Sequence, residues 1–326
     1  MCAFEMDPAG FCSQTRVFIV AGKGGVGKTT VSAALARMAA GAGLRTLVVD
    51  VEGASGLSTA FGHPHPLTYD EVVLAPGGPG GQAEVRARTI TPDGALLEYL
   101  EDHGMGRVSR RLVSTGAVDV VATAAPGIKD ILVLGKVKQL ERSGAADLVV
   151  VDSPAAGHAV TFLSSACGLL DAVQVGPIRA QAEDVVELLS DPRRCQVLLV
   201  TLPEETPVNE VVETAYKLED RVGVSLAPVV VNGLYPPANV DADPQVEAER
   251  AGVHLRPGEA DALAGAARFR SARVALHAEQ VERLAKALPL PQLHLPFLFT
   301  TEVGRPELDT LASALAGAVR DLGPPG

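Results

Sequence analysis

Basic residues are in short supply. The 326-residue chain carries 28 Lys and Arg against 39 Asp and Glu, a formal net charge of −11. That balance leaves no basic stripe to neutralise nucleic-acid phosphates and no cationic amphipathic helix for an anionic lipid surface. The four cysteines, Cys2, Cys12, Cys167 and Cys195, form no Cys-x-x-Cys pair, so neither a zinc clamp nor a disulfide framework is indicated. No apolar run reaches the roughly 18 residues of a membrane span, and the nearest candidate, 161–178, is broken by Asp171 and Pro177. Met1 to Gln14 holds Glu5 and Asp7 and no positive charge, unlike a secretory leader. A cytoplasmic protein with no stable membrane insertion and no nucleic-acid partner is expected. His63-Pro64-His65 has no third ligand near it in sequence and reads as plain loop. Hydrophobic residues at 47% and charged ones at 21% are ordinary for a globular chain long enough to bury one large core.

What is present is concentrated in one stretch. The apolar run Arg16 to Ala21 leads into Gly22-Lys23-Gly24-Gly25-Val26-Gly27-Lys28-Thr29-Thr30, and an Ala-rich helical segment follows from Val31. Strand, glycine-rich turn and helix start in that order make a phosphate-binding loop: successive amides point into one concavity, and the helix adds the positive end of its dipole. Lys28 is expected to reach the β and γ phosphates of ATP, and the Thr29 hydroxyl to ligate Mg²⁺.

Further along, Arg45 to Val51 reads as a buried strand that delivers Asp50 and Glu52 to the nucleotide. Pro64 to Gly81 reads as loop or short strand, 84–90 as a strand, and Thr91-Pro92-Asp93 as a helix cap. Residues from about 94 to 143 read as mostly helical, a subdomain inserted into the α/β unit. Ala146 to Asp152 is an apolar strand closing in one acid, the arrangement in which a carboxylate holds the water shell of Mg²⁺. Strands at 172–175, 195–201 and 227–232 alternate with helices at 180–190 and 207–222, and a long helix over 259–288 precedes a last strand at 292–297 and a final helix from Arg305. The fold class predicted is α/β, a doubly wound, mostly parallel sheet, with residues 1–15 as a flexible N-terminus and 16–326 as one ATPase domain. With one phosphate loop and no repeat, a second nucleotide site must come from a second chain.

Lys23, second in the loop, makes the string similar to the deviant Walker A of the MinD, ParA, nitrogenase iron protein and ArsA/Get3 group. Asp152-Ser-Pro-Ala-Ala-Gly-His158 with Phe162-Leu163 looks like switch II of the ArsA/Get3 family, and Val49 to Phe61 is similar to its switch I. The resemblance covers positions 17 to about 310. It implies a P-loop ATPase dimer in which Lys23 crosses to the partner subunit's nucleotide and Glu52 orients the attacking water. Asn232 is implied to bind adenine, Glu204 the nucleoside, and Pro296 and Phe297 to form the purine loop. It also implies a second ATPase subunit, identical or a paralogue, and a protein client or membrane partner. Three departures matter: Glu52 and Gly53 stand where the family has Asp-Pro, the zinc and arsenite cysteines are missing, and only four Met are available to line a groove for a transmembrane helix. An ATP-binding pseudo-ATPase subunit, a MinD/ParA-like positioning ATPase and an arsenite or antimonite efflux ATPase stay open as alternatives.

Overall fold

The computed structural model describes residues 6–51, 53, 56–102, 104–107, 127–154, 156–237 and 243–323. Its strands are β1 (Val17–Ala21), β2 (Thr46–Asp50), β3 (Val72–Ala75), β4 (Val85–Thr89), β5 (Leu148–Asp152), β6 (Cys195–Thr201), β7 (Val229–Leu234) and β8 (Gln292–Pro296). They form one sheet in the order β3-β4-β2-β5-β1-β6-β7-β8. All neighbours run parallel except β3 against β4. The expected mostly parallel α/β sheet is therefore what the chain forms. Parallel pairing explains the composition of the central strands, because helices cover both faces and the strand interiors are apolar, with acids only at the ends of β2 and β5. In β1, β2 and β5 all five residues are buried.

Alternate residues of β1 feed two cores. Val17, Ile19 and Ala21 join Val149 and Val151 in one cluster, while Phe18 and Val20 join Val150 and Leu198 in the other. The first core is closed by α4 (Pro92–Asp102), α5 (Ile128–Ser143), α6 (Ala156–Ala172), α7 (Pro177–Ser190) and α8 (Glu205–Val222). The second is closed by α1 (Pro8–Cys12), α2 (Lys28–Gly41) and α11 (Arg305–Arg320). The short α3 (Gly56–Ala60) and α9 (Pro244–Arg250) and the long α10 (Glu259–Ala287) complete the helices of known extent. In α8, Val208, Val211, Ala215, Leu218 and Val222 are buried at helical spacing, and Gly223 ends the helix at φ 72°. Each of the Val and Leu side chains contributes about 1.5–3 kcal/mol by leaving water.

Several expectations are corrected. No strand forms at 172–175: Phe162, Leu163, Ala166 and Leu169 bury one face of a helix that runs to Ala172. Arg179 then donates to the carbonyls of Leu170 and Val173 at 3.1 and 2.9 Å, so the helix end is capped and Val175 is left 82% exposed. The flexible stretch expected through residue 15 is instead folded from Asp7, whose Oδ1 accepts the Gly10 N–H at 2.6 Å and starts α1. Phe11, 1% exposed, stacks on Phe18 at 5.4 Å, so core packing fixes this segment. The expected helical subdomain begins and ends in α4 and α5, and 108–126 between them lie outside the described residues. Leu96, Leu100, Ile131 and Val133 share the cluster of Ile19 and Val151; α5 packs on β5 and α4 packs on α5, so both belong to the main core.

Phe11→Ala should lower the unfolding free energy by about 3–5 kcal/mol, read as a fall in the urea midpoint. A midpoint equal to wild type would mean the segment does not belong to the core.

Candidate nucleotide site

β1 hands the chain to the glycine-rich loop at its carboxyl end, where ligands of open α/β sheets bind. Gly25 and Gly27 sit at φ 86° and 90°, a region closed to most side chains. A Cβ on Gly22 would overlap the carbonyl oxygen of Val200 in β6, and one on Gly27 the Nδ2 of Asn232. The loop backbone is thus pressed against two neighbouring strands, and only glycine fits. Helix α2 starts at Lys28 with no side-chain cap on its first amides and no acid in its first turn. Those amides and the dipole are available to an anion. Lys28 Nζ folds back to the Lys23 carbonyl at 3.4 Å.

Below the loop lies the acid. Thr29 Oγ1 donates to Asp152 Oδ2 at 2.6 Å, and Ser32 Oγ donates to Oδ1 at 3.2 Å. Asp152 is 5% exposed, and burial pushes its carboxyl up to about 6, opposed by the Thr29 hydrogen bond and reinforced by the charge of Asp50. Asp50 stands directly opposite on β2, in register with Asp152, and its Oδ1 accepts the Gly53 N–H at 2.9 Å. A hydroxyl and a carboxylate meeting under an uncapped helix start, with a second acid beside them, suit a hard divalent cation bound to phosphate oxygens. Glu52 lies outside the described residues.

Farther along the strand ends, Asn232 Nδ2 donates to the Val26 carbonyl at 2.9 Å and ties β7 to the loop. Past it, Phe297 follows Pro296 at the end of β8, its N–H bonded to Leu234 O at 2.7 Å. The Phe297 ring stands 4.8 Å from Tyr235 and 5.0 Å from Phe299. Glu204, just before α8, pairs with Arg273 of α10 at 2.8 Å. Lys23 pairs within its own chain with Glu210 of α8 at 2.5 Å, both side chains partly exposed. A separate cleft of about 630 Å³ behind α2 holds none of these groups, and its Arg37 is already paired with Asp309.

The model of the family described as anion-transporting ATPase matches residues 15–175. ATPase BagA of Mycobacterium tuberculosis is 34% identical over 305 residues, covering 87% of this chain and 88% of that one. The chain belongs to the anion-transporting ATPase family. Other relatives in this family are the Arabidopsis thaliana ATPase GET3B, 25% identical over 287 residues (73% of this chain, 68% of that one), and the arsenical pump-driving ATPase of Acidiphilium multivorum, 27% identical over 243 residues (68% and 40%).

In this member of the family the structure brings Thr29 next to Asp152 and Asn232 next to Val26, although 123 and 206 residues separate the partners. Sequence reasoning missed Ser32, Tyr235, Arg273 and Phe299. Ser32 was within reach, because it lies three positions after Thr29 on the same face of α2. Tyr235, Arg273 and Phe299 come from three different segments, and no spacing rule joins them.

The raised Asp152 value has a definite sign. The folded chain holds this proton more tightly than the unfolded chain, so the contribution is complete below about pH 4 and is lost as pH rises through about 6. Metal-free wild type should therefore lose stability relative to Asp152→Asn across about pH 4–7. Thermal unfolding of the pair would show it, and a pH-independent difference would rule it out.

Proposed function

We propose that this ATPase is a magnesium-dependent paired switch, in which two subunits close over nucleotide and hydrolysis changes their grip on a protein or membrane partner. The observation that carries the reading is the Thr29–Asp152 hydrogen bond beneath a loop whose amides are uncapped. Magnesium held by the Thr29 hydroxyl, with Asp152 on its water shell, would neutralise charge on the triphosphate. The amides of Gly24 to Thr30 cradle the phosphates, Lys28 leaves the Lys23 carbonyl for the γ phosphate, and Asn232 with Phe297 receives the base. Glu52 would orient the attacking water.

Lys23 is the residue for the partner subunit. Its pair with Glu210 is partly exposed, and such pairs are worth about 0–1 kcal/mol. Breaking it costs little, so a partner's phosphates can take the ammonium. A cation arriving late at the γ phosphate stabilises the charge that spreads there.

Thiolate capture of an oxyanion is the poorer reading. Cys12 and Cys195 are buried thiols pushed up to about 12, and no cluster of three metal-binding side chains exists among the described residues. No helix among the described residues is long and apolar enough to cross a membrane.

Lys28→Ala should weaken calorimetric Mg·ATP binding at least about a hundredfold, and Lys23→Ala should bind normally while turnover falls by about 10²–10³. Glu52→Gln should bind ATP and turn over slowly. Full turnover by Lys23→Ala would remove the paired mechanism.

A further inference from the structure

Helix α10 runs 29 residues from Glu259 to Ala287, yet its buried residues are only His277, Gln280 and Leu284. None of its first 18 residues is buried, so burial in a core does not position that half. Apart from the local pair of Glu259 with Arg256, the polar bonds of Arg270 and Arg273, with that of His277 beyond them, converge on one place. Arg270 donates to the Pro236 carbonyl at 3.4 Å, Arg273 to Glu204 Oε1 at 2.8 Å, and His277 Nδ1 accepts the Tyr235 N–H at 3.2 Å. Glu204 and Tyr235 stand just beyond the carboxyl ends of β6 and β7.

The chemistry gathered there is specific. The rings of Tyr235, Phe297 and Phe299 lie 4.8–5.3 Å apart. The Arg273 guanidinium sits 5.8 Å from the Tyr235 centroid, and that of Arg270 5.2 Å from Phe299. Phe297 and Phe299 are 38% and 64% exposed, so flat apolar faces remain for a flat ligand. Glu204 precedes α8 without capping it by a side-chain hydrogen bond. Its carboxylate is instead held by Arg273 through one oxygen on a side chain that is 44% exposed. The second oxygen is left to accept hydrogen bonds, and vicinal hydroxyls of a sugar are the donors that would stand next to a stacked base.

We propose that Arg273 is a positioning residue for the nucleoside: it fixes the Glu204 carboxylate to receive ribose hydroxyls and so makes the site prefer a nucleoside triphosphate to a bare polyphosphate. This rests on the ATP reading above and goes beyond it by assigning α10 a part in recognition. Holding the carboxylate in place before the ligand arrives removes an ordering cost at binding. Arg273 bonds Glu204 and faces Tyr235 and has no bond to the phosphate loop, so its effect is expected at the sugar end.

The test is calorimetry on the full chain with Mg·ATP, Mg·2′,3′-dideoxy-ATP and Mg·tripolyphosphate. Wild type should prefer ATP to the dideoxy compound. Arg273→Ala should weaken ATP about tenfold, as expected for a charge-assisted contact discounted for exposure. It should bind tripolyphosphate as wild type does, and it should lose the preference for ATP over the dideoxy compound. Arg273→Lys should recover part of that preference, and Glu204→Gln combined with Arg273→Ala should lose no more than either alone. Equal losses for ATP and tripolyphosphate would mean a general structural defect and overturn the proposal. Wild-type ATP affinity and preference in Arg273→Ala would overturn it while leaving the ATP site intact. A wild type that takes tripolyphosphate and rejects ATP would overturn both.

Discussion

The hydrogen bond between Thr29 and Asp152 is the constraint on which the site depends. It exists because β1 and β5 are adjacent and parallel, with Val20 level with Asp152, so that the helix leaving β1 starts directly over the acid that ends β5. A two-residue slip in that register would carry the carboxylate about 7 Å along the strand, out of reach of the hydroxyl. The apolar runs in β1 and β5 therefore do more than fill the core. They set where a buried acid and a helix N-terminus meet. Asp152, costly to bury and steadied by two hydroxyls, persists at a position where a packed apolar residue would be more stable, and such tension is common at functional sites.

The loop is constrained from the other side as well. Val200 O crowds Gly22, and Asn232 crowds Gly27 while binding the Val26 carbonyl. The ends of β6 and β7 thus press on the phosphate loop, and the same strand ends carry Glu204 and Tyr235. The glycine-rich loop and the Glu204 and Tyr235 group therefore share the ends of β6 and β7 as their support.

Much of this was readable in the residues. The string from Gly22 to Thr30 names its own chemistry, because glycine, lysine and threonine at those spacings follow an apolar run and precede an alanine-rich helix. Asp152 was equally plain, as a lone acid closing a buried strand. The apolar stretch through Ala172 was harder: four residues rich in Val look like a strand until the helix face formed by Phe162, Ala166 and Leu169 is seen to need them as its end. The N-terminal segment misled for a related reason, since Phe11 and Cys12 follow Pro8, Ala9 and Gly10 with no periodicity, and tertiary packing in the core of Phe18 holds them. Nothing in the sequence joins the arginines of α10 to the groups they meet. Their partners lie 34 and 69 positions away, and a polar helix without an apolar stripe gives no hint of what it approaches.

That helix has a mechanical property of its own. At 1.5 Å per residue, the 18 residues before His277 extend about 27 Å from the point where the helix enters the core. A tilt of about 10° at that pivot would carry Glu259 by about 5 Å, several times any displacement needed at Arg273 itself. The geometry is that of a pointer, in which a small adjustment beside the cleft is drawn large at a distant surface.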